Sequence, residues 1–387
     1  MSMFTLGTSR PEMAAVYTGL GIIFLQLRGE YRQKREGPQA ASHQTELWKR
    51  VFWCYVLLDA KYCIFNGSPP AINLENYDVG LPLEVDDDYW DRGFVQPLGK
   101  PSAGSYLVHQ AKLCKILGDV MRRLFASKET KIRLGWGSSE WEQDTVAELD
   151  SALNDFLNSI PAHLRWDSDS PPQGIFFDQS IVLHVTYYQI QIMIHRPYIH
   201  KTHALAAPSL FICTSAARTI LHIARGWLDK RRGQPFPTVA NAIFISAIIL
   251  FLNSFGTKRG GRPVATDKDT NLIETAMEIM KLMETRFQSM GRLWELLREL
   301  RSLDRLPVNY PPTDDLGSFG RSPDLSDGGP LKPGMSIEQL LADTDHLTAT
   351  NGAFDEELMA MWMAVPTDIS NFGEWDAYIG SRNFNTN

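Results

Sequence analysis

Apolar residues recur every three to four positions through most of the first 306 residues, the spacing of helices rather than of strands. This predicts an all-α, multi-helix bundle or superhelix. Ala14 to Leu27 forms one apolar segment. Thr45 to Phe65 forms a second, with Leu47, Trp48, Val51, Phe52, Tyr55 and Leu58 in register. Asn66-Gly67 closes it, because glycine accepts the left-handed conformation of a helix C-cap. Ser68 to Trp90 reads as a loop: Pro69 and Pro70 each lack an amide donor and crowd the preceding turn.

Helical spacing resumes over Tyr106 to Phe125 and over Trp141 to Ile160, where Ser139 and Glu142 suggest a capping box. Ile175 to Arg196 is apolar nearly all round, as a central helix packed on several sides requires, and it stops at Pro197. Pro208 to Leu228, Thr238 to Phe255 and Asp269 to Leu306 are the remaining predicted helices. Residues 307–334 are rich in proline, glycine, serine and aspartate, the composition of a disordered linker. Residues 335–387 mix acids with bulky apolar side chains, among them Phe354, Trp362, Phe372, Trp375 and Tyr378.

The net charge is −7, and from Leu341 onward eight acids face the single base Arg382. The tail therefore holds the whole imbalance, and the rest of the chain offers no basic face of the kind nucleic acid requires. Cys54, Cys63, Cys114 and Cys213 lie far apart among apolar neighbours, as buried hydrophobes would. Val239 to Phe255 is too short and too polar to span a bilayer, so no membrane contact is expected.

Enzyme signatures are missing: there is no phosphate-binding glycine loop, no nucleophile elbow and no HExxH pair. Asp86-Asp87-Asp88 reads as charge at a helix N-terminus. His195, His200 and His203 match no common ligand spacing. Neither a catalytic residue nor a metal or other cofactor site is assigned. Asp59 stands out instead: a carboxylate among Leu57, Leu58 and Tyr62 must anchor a backbone turn or meet a base. Glu46 and Arg50, four apart on the same helix, are spaced for an ion pair.

Glu46, Arg50, Phe52, Trp53, Asp59, Gly67, Pro69, Pro70, Asp78 and Pro82 form an ordered set, and His195-Arg196-Pro197 follows at the end of the central helix. This set resembles the core motif of the fungal-specific transcription factor domain, the middle homology region of zinc-cluster regulators. The resemblance extends over roughly residues 10–306. It implies a regulatory domain over residues 1–306, a linker over 307–334 and an activation segment over 335–387, acting in the nucleus on RNA polymerase II transcription. The motif residues are mainly structural in this reading, while Phe354, Trp362, Phe372, Trp375 and Tyr378 would meet coactivators or corepressors.

Zinc and DNA belong, in that family, to an N-terminal cluster of six cysteines that this chain lacks, so neither is assigned to any residue here. The expectation is a form truncated at its N-terminus. A homodimer and a small-molecule effector are further partners consistent with the resemblance. The alternatives are a protein-interaction or metabolite-sensing helical domain that competes with a full-length regulator and, last, an α-helical enzyme using His184 and His195.

Overall fold

The structure, a computed structural model, describes residues 12–29, 42–199, 204–230, 237–259, 267–304, 365–366 and 372–380. Every long element among them is a helix, and no strand occurs in the described residues. In chain order these are α1 (Glu12–Arg28), α2 (His43–Asn66), α3 (Ser105–Arg123), α4 (Lys128–Leu134), α5 (Ser139–Ser159), α6 (Ile175–His195), α7 (Ala206–Lys230), α8 (Pro237–Arg259), α9 (Asp267–Glu284), α10 (Gln288–Asp304) and α11 (Phe372–Gly380). The linker and the first part of the tail, Phe354 and Trp362 included, lie outside the described residues.

The uniformly apolar α6 is the centre of the bundle. Ile181, Leu183, Val185, Tyr187, Ile190 and Ile194 are all buried, pointing in different directions round the helix. It packs on α3, α5, α7 and α8, the arrangement that its lack of a polar face demands. At one edge α1 and α2 run antiparallel. The Arg28 guanidinium lies 4.2 Å over the Trp48 ring, and about two turns back Gly21 faces the Tyr55 ring so closely that a Cβ would collide with it. Trp53 on the other side of α2 is 1% exposed, so this helix is packed on two sides, as its paired tryptophans require.

Three boundaries differ from expectation. The N-cap of α5 is Ser138, whose hydroxyl accepts from the Trp141 amide at 3.1 Å, rather than Ser139. The short α4 has no counterpart in the sequence reading, although Ser127 caps it and Gly135 ends it at φ 70°. Finally, Asp269 to Leu306 is not one helix but the hairpin α9–α10. The chain turns at Thr285-Arg286-Phe287, where the amides of Arg286 and Phe287 both donate to the Met283 carbonyl. No glycine or proline marks the break. It arises because both halves carry an apolar stripe, and folding back buries Ile279 and Met283 against Leu293 and Leu297.

Candidate functional site

The 67–104 segment contains no helix longer than a single turn or two, so its backbone polar groups need partners from elsewhere. Side chains of α2 supply them. Ser42 caps this helix by accepting from the Thr45 amide, and Gly67 ends it at φ 63°. Between those points four side chains reach across. Glu46, 1% exposed, accepts the Leu83 amide at 2.9 Å and the Lys49 ammonium at 2.6 Å. Arg50 donates to the Val85 carbonyl at 2.8 Å, pairs with Asp87 and lies 4.4 Å over the Trp90 ring. Trp53 donates from Nε1 to the Gly80 carbonyl at 2.9 Å. Asp59 accepts the amides of Ala71 and Ile72 at 3.1 and 2.8 Å.

The spacing-based pairing of Glu46 with Arg50 is therefore not what forms. Each side chain turns instead to the loop, where an otherwise orphaned amide and carbonyl are stronger attractors than an exposed i,i+4 contact. Phe52 packs on Trp53 and Tyr77, with ring centroids 5.4 and 5.2 Å away. Pro82 is buried, Pro70 is half-buried, and Pro69 and Asp78 are exposed.

Asp86 organises the far end of the segment. Its carboxylate accepts the Ala103 amide and the Ser102 hydroxyl, both at 2.9 Å, and the Gln96 amide group at 3.1 Å. Burial pushes this carboxyl up, but the hydrogen bonds outweigh it and hold it below the usual carboxylate range. Asp86 precedes a short 3₁₀ helix, Asp87–Arg92, with Asp87 and Asp88 in its first turn. Among the described residues no group of three or more His, Cys, Asp or Glu side chains is placed to hold a metal ion. Three cysteines are buried as the sequence suggested, but Cys54 is exposed on α2.

The histidines of the central helix serve packing. His195 is 0% exposed; its Nε2 meets Asp150 Oδ1 at 3.1 Å and its Nδ1 meets Ser209 Oγ at 3.1 Å. The residue types are those of a hydrolytic triad, yet Ser209 on α7 is 0% exposed, sealed where α7 packs on α6. No substrate carbonyl reaches a nucleophile sealed in this way. His184 accepts the Trp166 amide at Nε2 and bonds the Ser180 carbonyl through Nδ1. The two histidines thus sit in separate networks, and His200 and His203 lie outside the described residues. Asp150 and Ser209 escaped the sequence reading. The only trace of the first is an acid directly after Leu149 on an apolar helix face.

The end of α6 also receives the C-terminal part of the chain. Arg196, beside Pro197 in a 3₁₀ turn, donates to the Val365 carbonyl at 3.0 Å. On α11, Trp375 is 0% exposed and stands edge-on to Phe244 of α8 at 5.0 Å, with Tyr378 behind it at 5.9 Å. Asp376 pairs with Arg292 of α10. In this state Trp375 and Tyr378 are core residues rather than exposed contacts. For Phe372 only the backbone is described. An open groove of about 580 Å³ lies between α9 and α10, with Met277, Leu282 and Trp294 in its lining.

Residues 1–155 match the fungal specific transcription factor domain, the stretch that contains α1 to α4, most of α5 and the braced loop. An acetamidase regulatory protein of Aspergillus fumigatus is 28% identical over 186 residues, 48% of this chain and 20% of that protein. An ABC-transporter-regulating transcription factor of the same organism is 28% identical over 202 residues, 52% of this chain and 22% of its own length. Activator of stress genes 1 of Saccharomyces cerevisiae is 25% identical over 222 residues, covering 55% of this chain and 22% of that protein. The chain spans about one fifth of the length of these curated relatives. No solved structure matches it. Over residues 1–155 this chain is thus similar to the fungal specific transcription factor domain, and the relatives it matches are fungal regulatory proteins.

Proposed function

We propose that this chain is the regulatory part of a nuclear regulator of RNA polymerase II transcription. The observation that carries this reading is the match of residues 1–155 to a transcription factor domain, over a stretch where relatives from distant fungi are transcriptional regulators. The α2–loop brace is its scaffold and does no chemistry, and no cofactor enters. Residues 335–387 form the output segment, whose apolar anchors a coactivator or corepressor takes into a groove. The burial of Trp375 and Tyr378 supports a further element of this reading: α11 is held on α8 and α10 and becomes available when released. A small apolar effector entering the groove beside Trp294, on the α9–α10 hairpin that also carries Arg292, is the ligand class we assign to this regulation.

The test tethers residues 335–387 to a heterologous DNA-binding module beside a reporter gene. Activation or repression is expected, and a silent fusion overturns the assignment. In the full chain, Arg292→Ala removes the partner of Asp376 without altering the tail, and it should raise reporter output.

A further inference from the structure

Helices α2 and α6 both pack on α3 but scarcely touch one another. One side chain spans the gap between them: the Lys61 ammonium of α2 donates to Thr186 Oγ1 of α6 at 2.6 Å. The Thr186 hydroxyl donates its own proton to the Val182 carbonyl at 2.7 Å, so toward Lys61 it can only accept. The cation has no anion. Among the described residues no carboxylate pairs with Lys61, and Asp59, two positions earlier, is committed to the Ala71 and Ile72 amides. A confined and unpaired ammonium is costly, and burial accordingly lowers its pKa to about 8.

The α3 side of the gap is equally unmatched. Tyr106, Gln110 and Cys114 recur every four residues and so share one face, and Cys114 on that face lies within electrostatic reach of Lys61. Gln110 is 0% exposed, yet neither its amide nitrogen nor its oxygen makes a hydrogen bond; the Tyr106 hydroxyl lies beside it without the geometry of one. Buried carboxamides rarely stay so, because each atom forgoes the bonds it had in water. Lys61 and Tyr106 stand deep within the protein but keep some accessible surface, as side chains bordering an internal space do. Leu57 and Leu58, a turn back from Lys61 and partly buried, give that space an apolar wall.

These groups select a ligand by its chemistry. A single ammonium balances a single negative charge, which suits a carboxylate better than a phosphate dianion. The carboxamide adds N–H donors for the second carboxylate oxygen. The leucines favour a hydrocarbon body.

We infer that the gap between α2 and α6 is a binding site for a small apolar molecule bearing one carboxylate, which meets the Lys61 ammonium and the Gln110 amide group. The site is separate from the groove beside Trp294 and independent of what the tail does. Its pH dependence belongs to Lys61, because burial keeps the neighbouring Cys114 thiol, pushed up to about 12, and the Tyr106 hydroxyl protonated, while α6 presents the Thr186 hydroxyl.

The experiment follows the melting temperature of the full 387-residue chain as hexanoate or benzoate is added, with hexanamide and benzamide as uncharged counterparts. At pH 7 at least one acid is expected to raise it saturably and its amide to leave it unchanged. Affinity should fall about tenfold between pH 7 and pH 9, as Lys61 loses its proton in the free protein. Lys61→Met should weaken binding at least about tenfold, and Gln110→Leu by a smaller factor. Each variant replaces an unmatched polar group with an apolar one of similar size, and circular dichroism confirms that it folds. The acid–amide comparison and the pH series need no variant. Neither acid raising the melting temperature overturns the proposal, as do amides that bind as well as acids, or binding that the folded Lys61→Met variant retains in full.

Discussion

The Glu46 carboxylate accepts the backbone amide of Leu83 at 2.9 Å, joining two residues 37 positions apart in the chain. The bond is shielded, since Glu46 is 1% exposed. Three further side chains of α2, Arg50, Trp53 and Asp59, make the same kind of contact further along the segment. A loop that contributes little helix of its own is thereby held by the side chains of one helix.

Glu46→Ala should destabilise the chain by about 2–3 kcal/mol, because a buried amide loses a charged acceptor. Glu46→Gln keeps one acceptor oxygen and should recover part of that loss. Lys49→Ala, which removes only the partly exposed ion-pair partner, should cost under ~1 kcal/mol. Urea unfolding midpoints of the three variants order these effects.

His184 makes stability depend on mild acid. Burial pulls its pKa down to about 4, although its hydrogen bond to the Ser180 carbonyl opposes the shift. In the unfolded chain the ring titrates near 6.5. Between these values the unfolded state takes up a proton that the folded state refuses. Stability from this group is complete above pH 6.5, declines as pH falls toward 4 and is about 2 kcal/mol lower at pH 5. Thermal midpoints recorded from pH 7 to pH 4 should show this slope, and His184→Gln should flatten it.

Lys61 behaves in the opposite pH range. Burial lowers its pKa to about 8 from 10.5, while its ammonium donates to Thr186 Oγ1 at 2.6 Å. Below pH 8 both states are protonated and the folded chain carries the full cost of a confined cation, on the order of 3 kcal/mol. That cost fades as pH rises from 8 to 10.5. Lys61→Met should therefore stabilise the protein at pH 7 by about 1–2 kcal/mol, after the lost hydrogen bond, and bring no gain near pH 10. Chemical denaturation at the two pH values measures the difference.

His195→Ala strands the buried Asp150 carboxylate and the Ser209 hydroxyl together, and an expected loss of about 3–5 kcal/mol follows from leaving a charge without its partner. Ser209→Ala removes one neutral hydrogen bond and should cost about 1 kcal/mol. Calorimetric midpoints distinguish the two. Near-equal losses would show that the three side chains do not act as the geometry indicates.

The helices of this chain were legible because their signals are local. The 3.6-residue period, the Gly67 cap and the Pro197 stop depend only on neighbours a turn away, and α6 announced its central position by having no polar side. The hairpin break at Thr285 to Phe287 was not legible, since nothing local forbids a continuous helix there and only burial of both apolar stripes favours the turn. The unread α4 shows a different limit: Ser127 and Gly135 were visible as caps, but a seven-residue helix gives too little period to count.

Sequence alone determined that the chain is helical, that residues 46–82 carry the mark of a fungal transcription factor domain and that negative charge gathers in the tail. Tertiary structure alone decided where the polar side chains point. Glu46 and Arg50 are spaced for each other but bond the loop, His195 finds Asp150 and Ser209 on two other helices, and Trp375 lies against Phe244. The reason is physical. Helix formation is governed by the nearest few residues, whereas a buried polar or aromatic group takes the best partner that the whole fold places within reach, however distant in the chain.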